Sequence, residues 1–437
     1  MLKENILDKT LYKVKKLIPK SVFSFFQPVY HGVLGYGGAL AYGFPSRKLK
    51  VIGVTGTKGK STVVYLVSKI FEGSGKSVAA CGSLGYKIKD KEWPNTLKMT
   101  MPGRFRLHKL MAEAVKADCE YFILEVTSEG IKQKRHLGIQ FDCAVFTNLH
   151  KEHIESHGSF ENYYQAKQEL FRLTKNIHVI NAEDPNFELF SKFSSKRTIY
   201  YGSKKGDLIA GNMDTSVEGS HFEIYGTEFN IKLAGEFNIL NSLAALSVGV
   251  MYGIDLPTMK PALESVSYIP GRMEFVQREP FAVVVDYAHT PESLEKVYQT
   301  LKDALRQAQD TQHIDKRLIC VLGAAGGGRD KWKRPEFGRI ASEYCDEIIL
   351  TNEDPYEENP ETIIEDIKKG FSQLQTTNYK LQTILDRKEA IKKAIYIARQ
   401  GDIVVITGKG SEISMVLVGG AKIPWSDWQV VSDFLNK

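Results

Sequence analysis

The sequence predicts an α/β protein of two sheet domains: a central P-loop-type domain on a mainly parallel sheet, then a C-terminal Rossmann-like domain. Three observations carry this. Apolar strand-like runs alternate with helical patterns twice along the chain. A turn-rich break, Tyr268-Ile269-Pro270-Gly271-Arg272, separates the two series. A glycine-rich loop joins the first strand of the first series to its first helix. The expected layout is an arm over residues 1–49, a central domain over 50–270 and a C-terminal domain over 271–437.

In the arm, Lys13, Lys15, Lys16 and Lys20 precede a run from Phe23 to Phe44 whose only potentially charged residue is His31. Pro28 and Gly32, Gly35, Gly37, Gly38 and Gly43 argue against a membrane-spanning helix. Packing onto the body of the protein is expected first, with attachment of residues 1–45 to a membrane surface as the alternative. In the first series, strands are expected at 51–55, 77–81, 121–126 and 143–147, and helices at 61–72, 105–116 and 160–173. Residues 177–180 continue the pattern, 198–232 suggest a small antiparallel insertion, and 237–251 form an Ala- and Leu-rich helix. In the second series, strands are expected at 281–285, 317–322, 347–350, 381–384 and 402–406. Its helices begin near Pro291, Pro335, Pro360 and Asp386, three of them with proline in the tolerant first turn.

Composition narrows the partners. A net charge of +6 over 437 residues, without a long Lys/Arg run or aromatic-interleaved basic patches, argues against nucleic acid but suits a polyanionic substrate. The five cysteines are scattered and include no C-x-x-C, so buried, reduced thiols in a cytoplasmic protein are expected.

The loop Gly53-Val54-Thr55-Gly56-Thr57-Lys58-Gly59-Lys60-Ser61-Thr62 carries the first chemistry. Gly56 and Gly59 let backbone N–H groups of Thr57 to Thr62 close around phosphate oxygens. Lys60 can reach the β- and γ-phosphates of ATP, and the Ser61 hydroxyl can bind Mg²⁺. Glu125 ends a buried-type strand, at the edge where α/β ligand sites form, and is the candidate second Mg²⁺ ligand. Beyond the next strand lie His150, His153 and His157, whose spacing fits no common zinc pattern. Lys167, alone, reads as a solvated helix lysine.

Taken together, these segments resemble the Mur ligase family, most closely the branch that adds the third residue of the peptidoglycan stem peptide. The resemblance covers about residues 50 to 435. It rests on the loop, on Asn148-Leu149-His150-Lys151-Glu152-His153-Ile154-Glu155-Ser156-His157-Gly158 and on Tyr163-Tyr164-Gln165-Ala166-Lys167. Further on it rests on Gly235-Glu236-Phe237-Asn238-Ile239-Leu240-Asn241, Gly271-Arg272-Met273-Glu274, Asp286-Tyr287-Ala288-His289-Thr290-Pro291, the segment from Gly326 to Pro335, and Gly408-Lys409-Gly410-Ser411-Glu412. It implies an ATP- and Mg²⁺-dependent ligase that forms an acyl phosphate and joins a free amino acid to a muramyl-peptide acceptor. Metal ligation is implied for Ser61, Glu125, His153 and a carbamylated Lys167, and nucleotide contacts for Asn238, Asn241, Arg272, Asp286 and His289. Acceptor contacts are implied for Thr100, Ser128 and Arg135, and amino-acid contacts for Arg329, Glu353, Asp354, Gly408 and Glu412.

The chain departs from the family pattern at several points. Lys58 replaces asparagine, Glu152 aspartate, and Glu129 and Ser411 histidines. Only about 50 residues precede the loop, unlike the family's UDP-binding N-terminal domain, so a truncated or lipid-linked acceptor is an alternative to a UDP-linked one. Diaminopimelate-adding members carry D-N-P-R where this chain has Glu353-Asp354-Pro355-Tyr356; tyrosine cannot form the bidentate carboxylate clamp, which favours lysine or another basic amino acid. Competing readings are a folylpolyglutamate synthase, another peptide-polymer ligase, or a non-catalytic nucleotide-binding subunit.

Overall fold

The computed structural model describes residues 20–96, 99–312, 316–327, 329–371, 379–418 and 421–436. The larger sheet has nine strands, β1 (Lys50–Thr55), β2 (Val78–Gly82), β3 (Gly85–Ile88), β4 (Lys91–Trp93), β5 (Tyr121–Glu125), β6 (Phe141–Phe146), β7 (Ile177–Asn181), β8 (Arg197–Gly202) and β9 (Leu208–Ile209). Their order is β4-β3-β2-β5-β1-β6-β7-β8-β9, parallel from β2 to β9, with the β3–β4 hairpin added antiparallel at one edge. From Val51 onward β1 is wholly buried, as a central strand covered on both faces must be.

The chain leaves β1 for β2 on one side and later places β6 on the other, so the connections diverge at the carboxyl end of β1. Ligand crevices form at such a switch point. The helix Lys60–Gly73, which leaves that point, buries Val63, Val64, Leu66, Val67 and Ile70 against the sheet and the helix Glu236–Met251.

A three-stranded antiparallel sheet, β10 (Gly211–Thr215), β11 (Ser220–Ile224) and β12 (Thr227–Ile231), is smaller than the insertion expected over 198–232. Residues Arg197–Gly202 instead join the large sheet in parallel beside β7, because their inward-facing Ile199 and Tyr201 complete its apolar core.

The second domain holds β13 (Glu274–Gln277), β14 (Ala282–Asp286), β15 (Leu318–Leu322), β16 (Glu347–Leu350), β17 (Lys380–Thr383) and β18 (Ile403–Thr407), ordered β13-β14-β18-β15-β16-β17. All pairs are parallel except β13 with β14. A two-stranded ribbon, β19 (Ser414–Val416) and β20 (Lys422–Pro424), follows. Cys81, Cys119 and Cys143 are buried free thiols, as expected; Cys320 and Cys345 depart from the expectation and are joined in a disulfide.

Of the arm, the helix Lys20–Ala41 packs on the helix Arg104–Lys116. Its glycines permit the close approach: a Cβ on Gly38 would lie 3.1 Å from the His108 ring, and one on Gly35 2.8 Å from the Leu137 Cβ. Val33, Tyr36 and Leu40 on this helix are exposed. Among the described residues no helix is long and apolar enough to cross a membrane.

Candidate active site

The carboxyl ends of the two parallel sheets face each other across a shared cavity of about 760 Å³. On the central side, the loop after β1 is shaped by two glycines at positive φ, where a side chain would be strained. Gly56 has φ +150°, and a Cβ there would lie 1.9 Å from Thr147 Oγ1. Gly59 has φ +80°, and a Cβ there would lie 2.3 Å from Asn241 Oδ1. The loop is braced from behind by the segment after β6. Thr57 N–H donates to the Asn148 carbonyl at 2.8 Å, Lys58 N–H to Asn148 Oδ1 at 2.8 Å, and Thr147 Oγ1 to the Lys58 carbonyl at 2.6 Å. Thr57 Oγ1 also accepts from His150 N–H at 2.9 Å and meets the buried Tyr163 hydroxyl at 3.0 Å. Lys60 Nζ donates to the Thr57 carbonyl at 2.8 Å.

Ser61 Oγ lies 3.1 Å from Glu125 Oε2, and that oxygen also accepts from Ser83 N–H at 2.9 Å and Ser83 Oγ at 3.0 Å. Among the described residues no three His, Cys, Asp or Glu side chains gather as a self-sufficient metal site. One hydroxyl beside one carboxylate nevertheless fits Mg²⁺, which takes its remaining ligands from phosphates and water.

Lys167 is buried, with Nζ donating to the Gly56 carbonyl at 2.6 Å and lying 4.5 Å from the Tyr163 ring centroid. Burial, then Lys60 and Lys58, push its amine well below the ordinary lysine range, outweighing Glu152 and Glu125. A surface reading of Lys167 is therefore excluded. His153 sits nearby, its ring 6.2 Å from that of Tyr163. Desolvation, with Lys333 and Lys58 nearby, lowers it against the pull of Glu152 and favours the neutral imidazole.

Glu152 is a buried hub. Its Oε1 lies 3.4 Å from Lys58 Nζ, 3.4 Å from His289 Nε2, 3.7 Å from Lys333 Nζ and 4.0 Å from His153 Nε2. Burial alone would raise its carboxyl, but Lys58, the His289 hydrogen bond and His153 hold it well below the usual carboxylate range. Burial lowers Lys58 to about 8, partly offset by Glu152. Burial and Lys58 lower His289 to about 4, and its Nδ1 lies 2.7 Å from the Tyr287 carbonyl.

Asn238 and Asn241 line the cavity from the helix Glu236–Met251, with Asn238 Nδ2 donating to the Ala234 carbonyl at 2.9 Å. Arg272 stacks over the Tyr287 ring at 4.4 Å and reaches Ser61 Oγ at 3.4 Å, bridging the two domains. Asp286 lines the cavity too, but its oxygens accept Met273 N–H at 2.7 Å and Ala288 N–H at 2.6 Å, so it also fixes the turn that presents Arg272. Thr100, Ser128 and Arg135 line another part of the cavity; Arg135 donates to the Met101 carbonyl and to Gln133 Oε1. Ser128 Oγ lies 3.2 Å from His157 Nε2.

At the C-terminal edge, Arg329 stacks on Tyr356 at 4.9 Å and bonds its hydroxyl at 3.0 Å. Asp354 accepts from Lys409 Nζ at 2.9 Å and Val416 N–H at 2.7 Å, while Glu412 accepts from Lys409 at 2.5 Å and Tyr287 Oη at 3.3 Å. Gly408, at φ +106°, makes room for Glu353, whose Oε2 a Cβ would approach to 2.3 Å. Burial, only partly offset by Arg387 and Lys409, pushes the Glu353 carboxyl up to about 7. The structure also brings in residues that sequence reasoning did not single out as site residues: Ser83, Tyr163, Asp330 and Lys333. The last two lie inside the Gly326–Pro335 motif, which was the available signal.

A phosphate loop on one sheet, facing charged loops on another across a common cavity, is the arrangement of a two-domain ATP-dependent ligase. The Mur ligase middle domain matches residues 54–249, and the Mur ligase, glutamate ligase domain matches residues 271–410. The chain belongs to the Mur ligase family, the ATP-dependent acid–amino-acid ligases of peptidoglycan stem-peptide synthesis. It is 38% identical over 405 residues to the UDP-N-acetylmuramoyl-L-alanyl-D-glutamate--2,6-diaminopimelate ligase of Syntrophomonas wolfei, covering 90% of this chain and 80% of that one. It is 34% identical over 412 residues to the UDP-N-acetylmuramyl-tripeptide synthetase of a Roseiflexus species, covering 89% and 79%. A solved structure of a UDP-N-acetylmuramoyl-L-alanyl-D-glutamate--2,6-diaminopimelate ligase superposes with a TM-score of 0.62 at 29% identity, covering 93% of this chain and 83% of that one.

Proposed function

We propose that this ligase adds the third residue to a muramyl-dipeptide acceptor in the cytoplasm, with Mg²⁺ as cofactor and lysine or another basic amino acid as the incoming residue. The observation that carries the reading is the shared cavity, with Lys60, Ser61 and Glu125 on one wall and Arg329, Glu353, Gly408 and Glu412 on the other. The acceptor's carboxylate oxygen attacks the γ-phosphorus of ATP, the bond to ADP breaks, and an acyl phosphate results. The amino group then attacks the acyl carbon; the amide forms, phosphate leaves and the ammonium proton is lost.

Lys60 offsets the charge spreading over the transferring phosphoryl group, and Arg272 holds the nucleotide between the domains. Asn238, Asn241, Asp286 and His289 frame the nucleotide, with Gly56, Thr57, Gly59 and Thr62 supplying the loop around its phosphates. Thr100, Ser128 and Arg135 hold the acceptor. Ser61 and Glu125 would hold one Mg²⁺ and His153 with a carbamylated Lys167 a second, and the ions would supply Lewis-acid stabilisation of the phosphoryl oxygens. Burial and the neighbouring lysines lower the pKa of the Lys167 amine, which favours carbamylation, since only an unprotonated amine captures CO₂. UDP-linked muramoyl dipeptide, the acceptor named for the relatives, is the acceptor class to try first.

Arg329 would take the amino acid's carboxylate, and Glu353 its side-chain ammonium. Asp354 is already held by Lys409 and Val416 and supports the pocket from behind. Because the Glu353 carboxyl titrates near 7, it is neutral below that pH and charged above it. Among amino acids screened for phosphate release, lysine-like ones should be preferred. Their KM should fall as pH rises from 6 to 8, and Glu353→Gln should flatten that dependence. A strong preference for diaminopimelate would overturn the substrate assignment.

The N-terminal arm supports a second role, peripheral contact with a membrane through residues 1–45. The exposed Val33, Tyr36 and Leu40 of its helix and the basic residues Lys13, Lys15, Lys16 and Lys20 of its sequence favour an anionic lipid surface. Full-length protein should sediment with anionic liposomes more than protein lacking residues 1–45. Equal partitioning would refute the contact.

A further inference from the structure

Asp330 belongs to the C-terminal domain, yet both of its carboxylate oxygens cap backbone on the central domain. Oδ2 accepts His153 N–H at 2.8 Å, and Oδ1 accepts Glu155 N–H at 3.2 Å. The next residue repeats the crossing, with Lys331 N–H donating to Glu155 Oε1 at 3.2 Å. Lys333 Nζ stands 3.3 Å from Asp330 and 3.7 Å from Glu152, so the same turn also reaches the buried hub.

What Asp330 holds is an unfavourable backbone. His153 has φ +56°, in the left-handed region that residues other than glycine occupy uncommonly. The two N–H groups point across the domain boundary, so the C-terminal domain holds the N–H side of this segment, while His157 N–H donates to the His153 carbonyl at 3.0 Å from within the central domain. The turn is itself anchored: Arg334, almost fully buried, pairs with Glu358 at 3.0 Å and Asp366 at 3.1 Å. Its other end carries Arg329, stacked on Tyr356 beside the amino-acid pocket.

From this geometry we infer that Asp330 is a positioning residue that sets His153 for metal binding, so that the second metal site is complete only when the C-terminal domain is docked. The inference rests on His153 being a metal ligand, as proposed above. Because Arg329 and Asp330 are adjacent, seating the amino acid against Arg329 stabilises the turn that holds His153. The docked domain thus brings the amine donor and the second metal into register together.

Counting Mn²⁺ bound by full-length protein with a non-hydrolysable ATP analogue, by electron paramagnetic resonance, tests the inference. The unsubstituted protein should bind two ions per chain, and Asp330→Ala about one. The Mg²⁺ concentration for half-maximal ligation should rise about 10- to 100-fold in that variant, as for loss of a group that orients a metal ligand, with the KM for ATP nearly unchanged. His153→Ala should also lose one ion, and adding Asp330→Ala to it should cost no further ion. Should His153→Ala keep both ions, the ligand assignment falls. Should His153→Ala lose one while Asp330→Ala keeps both with an unshifted Mg²⁺ requirement, the positioning role alone is overturned. Thermal melting with nucleotide separates either result from failure to fold; a melting temperature lowered in Asp330→Ala with both ions retained would mark Asp330 as merely structural.

Discussion

Lys60→Ala should lower acceptor- and amino-acid-dependent ADP release by about 10³-fold, the scale of losing one preorganised group that stabilises transition-state charge. The ammonium donates to the Thr57 carbonyl within its own loop and lines the cavity, where the proposed phosphoryl transfer takes place. Its charge matters most as negative charge spreads over the transferring phosphoryl oxygens. The loss should therefore fall chiefly on kcat, with nucleotide binding weakened less, because the backbone N–H groups of the loop remain. Single-turnover phosphate release in the presence of acceptor and amino acid would measure it; undiminished turnover would sink the site assignment.

Lys167→Ala should be nearly as severe, again about 10³-fold in kcat, and short carboxylates such as formate or acetate should restore part of the activity. The cavity left by removing a buried lysine side chain lies beside the Gly56 carbonyl and Tyr163, where a small carboxylate would stand in for the proposed carbamate. Removing dissolved CO₂ should slow the unsubstituted enzyme and leave the alanine variant indifferent. A plain electrostatic role for a lysine predicts the opposite: rescue by small amines and no response to CO₂.

The parallel strands β1, β2, β5 to β7, β14 to β16 and β18 were legible because strands buried on two faces read as short apolar runs, and the loops after β1, β14 and β18 were legible from their motifs. The antiparallel strands at the sheet edges, β3, β4 and β13, were not, being short and only partly buried. The fate of residues 197–202 was not, since alternation alone cannot say whether a half-apolar strand extends a large sheet or starts a small one. At the site, Lys60, Ser61 and Glu125 could be found because their chemistry is in their side chains. Asp330 escaped notice for the opposite reason: it acts on backbone N–H groups of His153 and Glu155, which carry no residue identity and lie some 175 positions away. Lys167 shows the reverse case: helix periodicity alone suggests solvent where the fold buries it beneath the loop after β1, and only the family motif pointed to the site.

Lys58 and Glu152, each a departure from the family pattern when taken alone, face each other at 3.4 Å. The two substitutions therefore meet in one ion pair, within the cluster that Glu152 also makes with His289, Lys333 and His153. Asparagine at 58 would leave the longer carboxylate with one cation fewer in a buried setting, and aspartate at 152 would draw the negative charge back from Lys58. Either reversion alone should be worse tolerated than both together. Relatives that carry a lysine at the first site should therefore carry glutamate at the second.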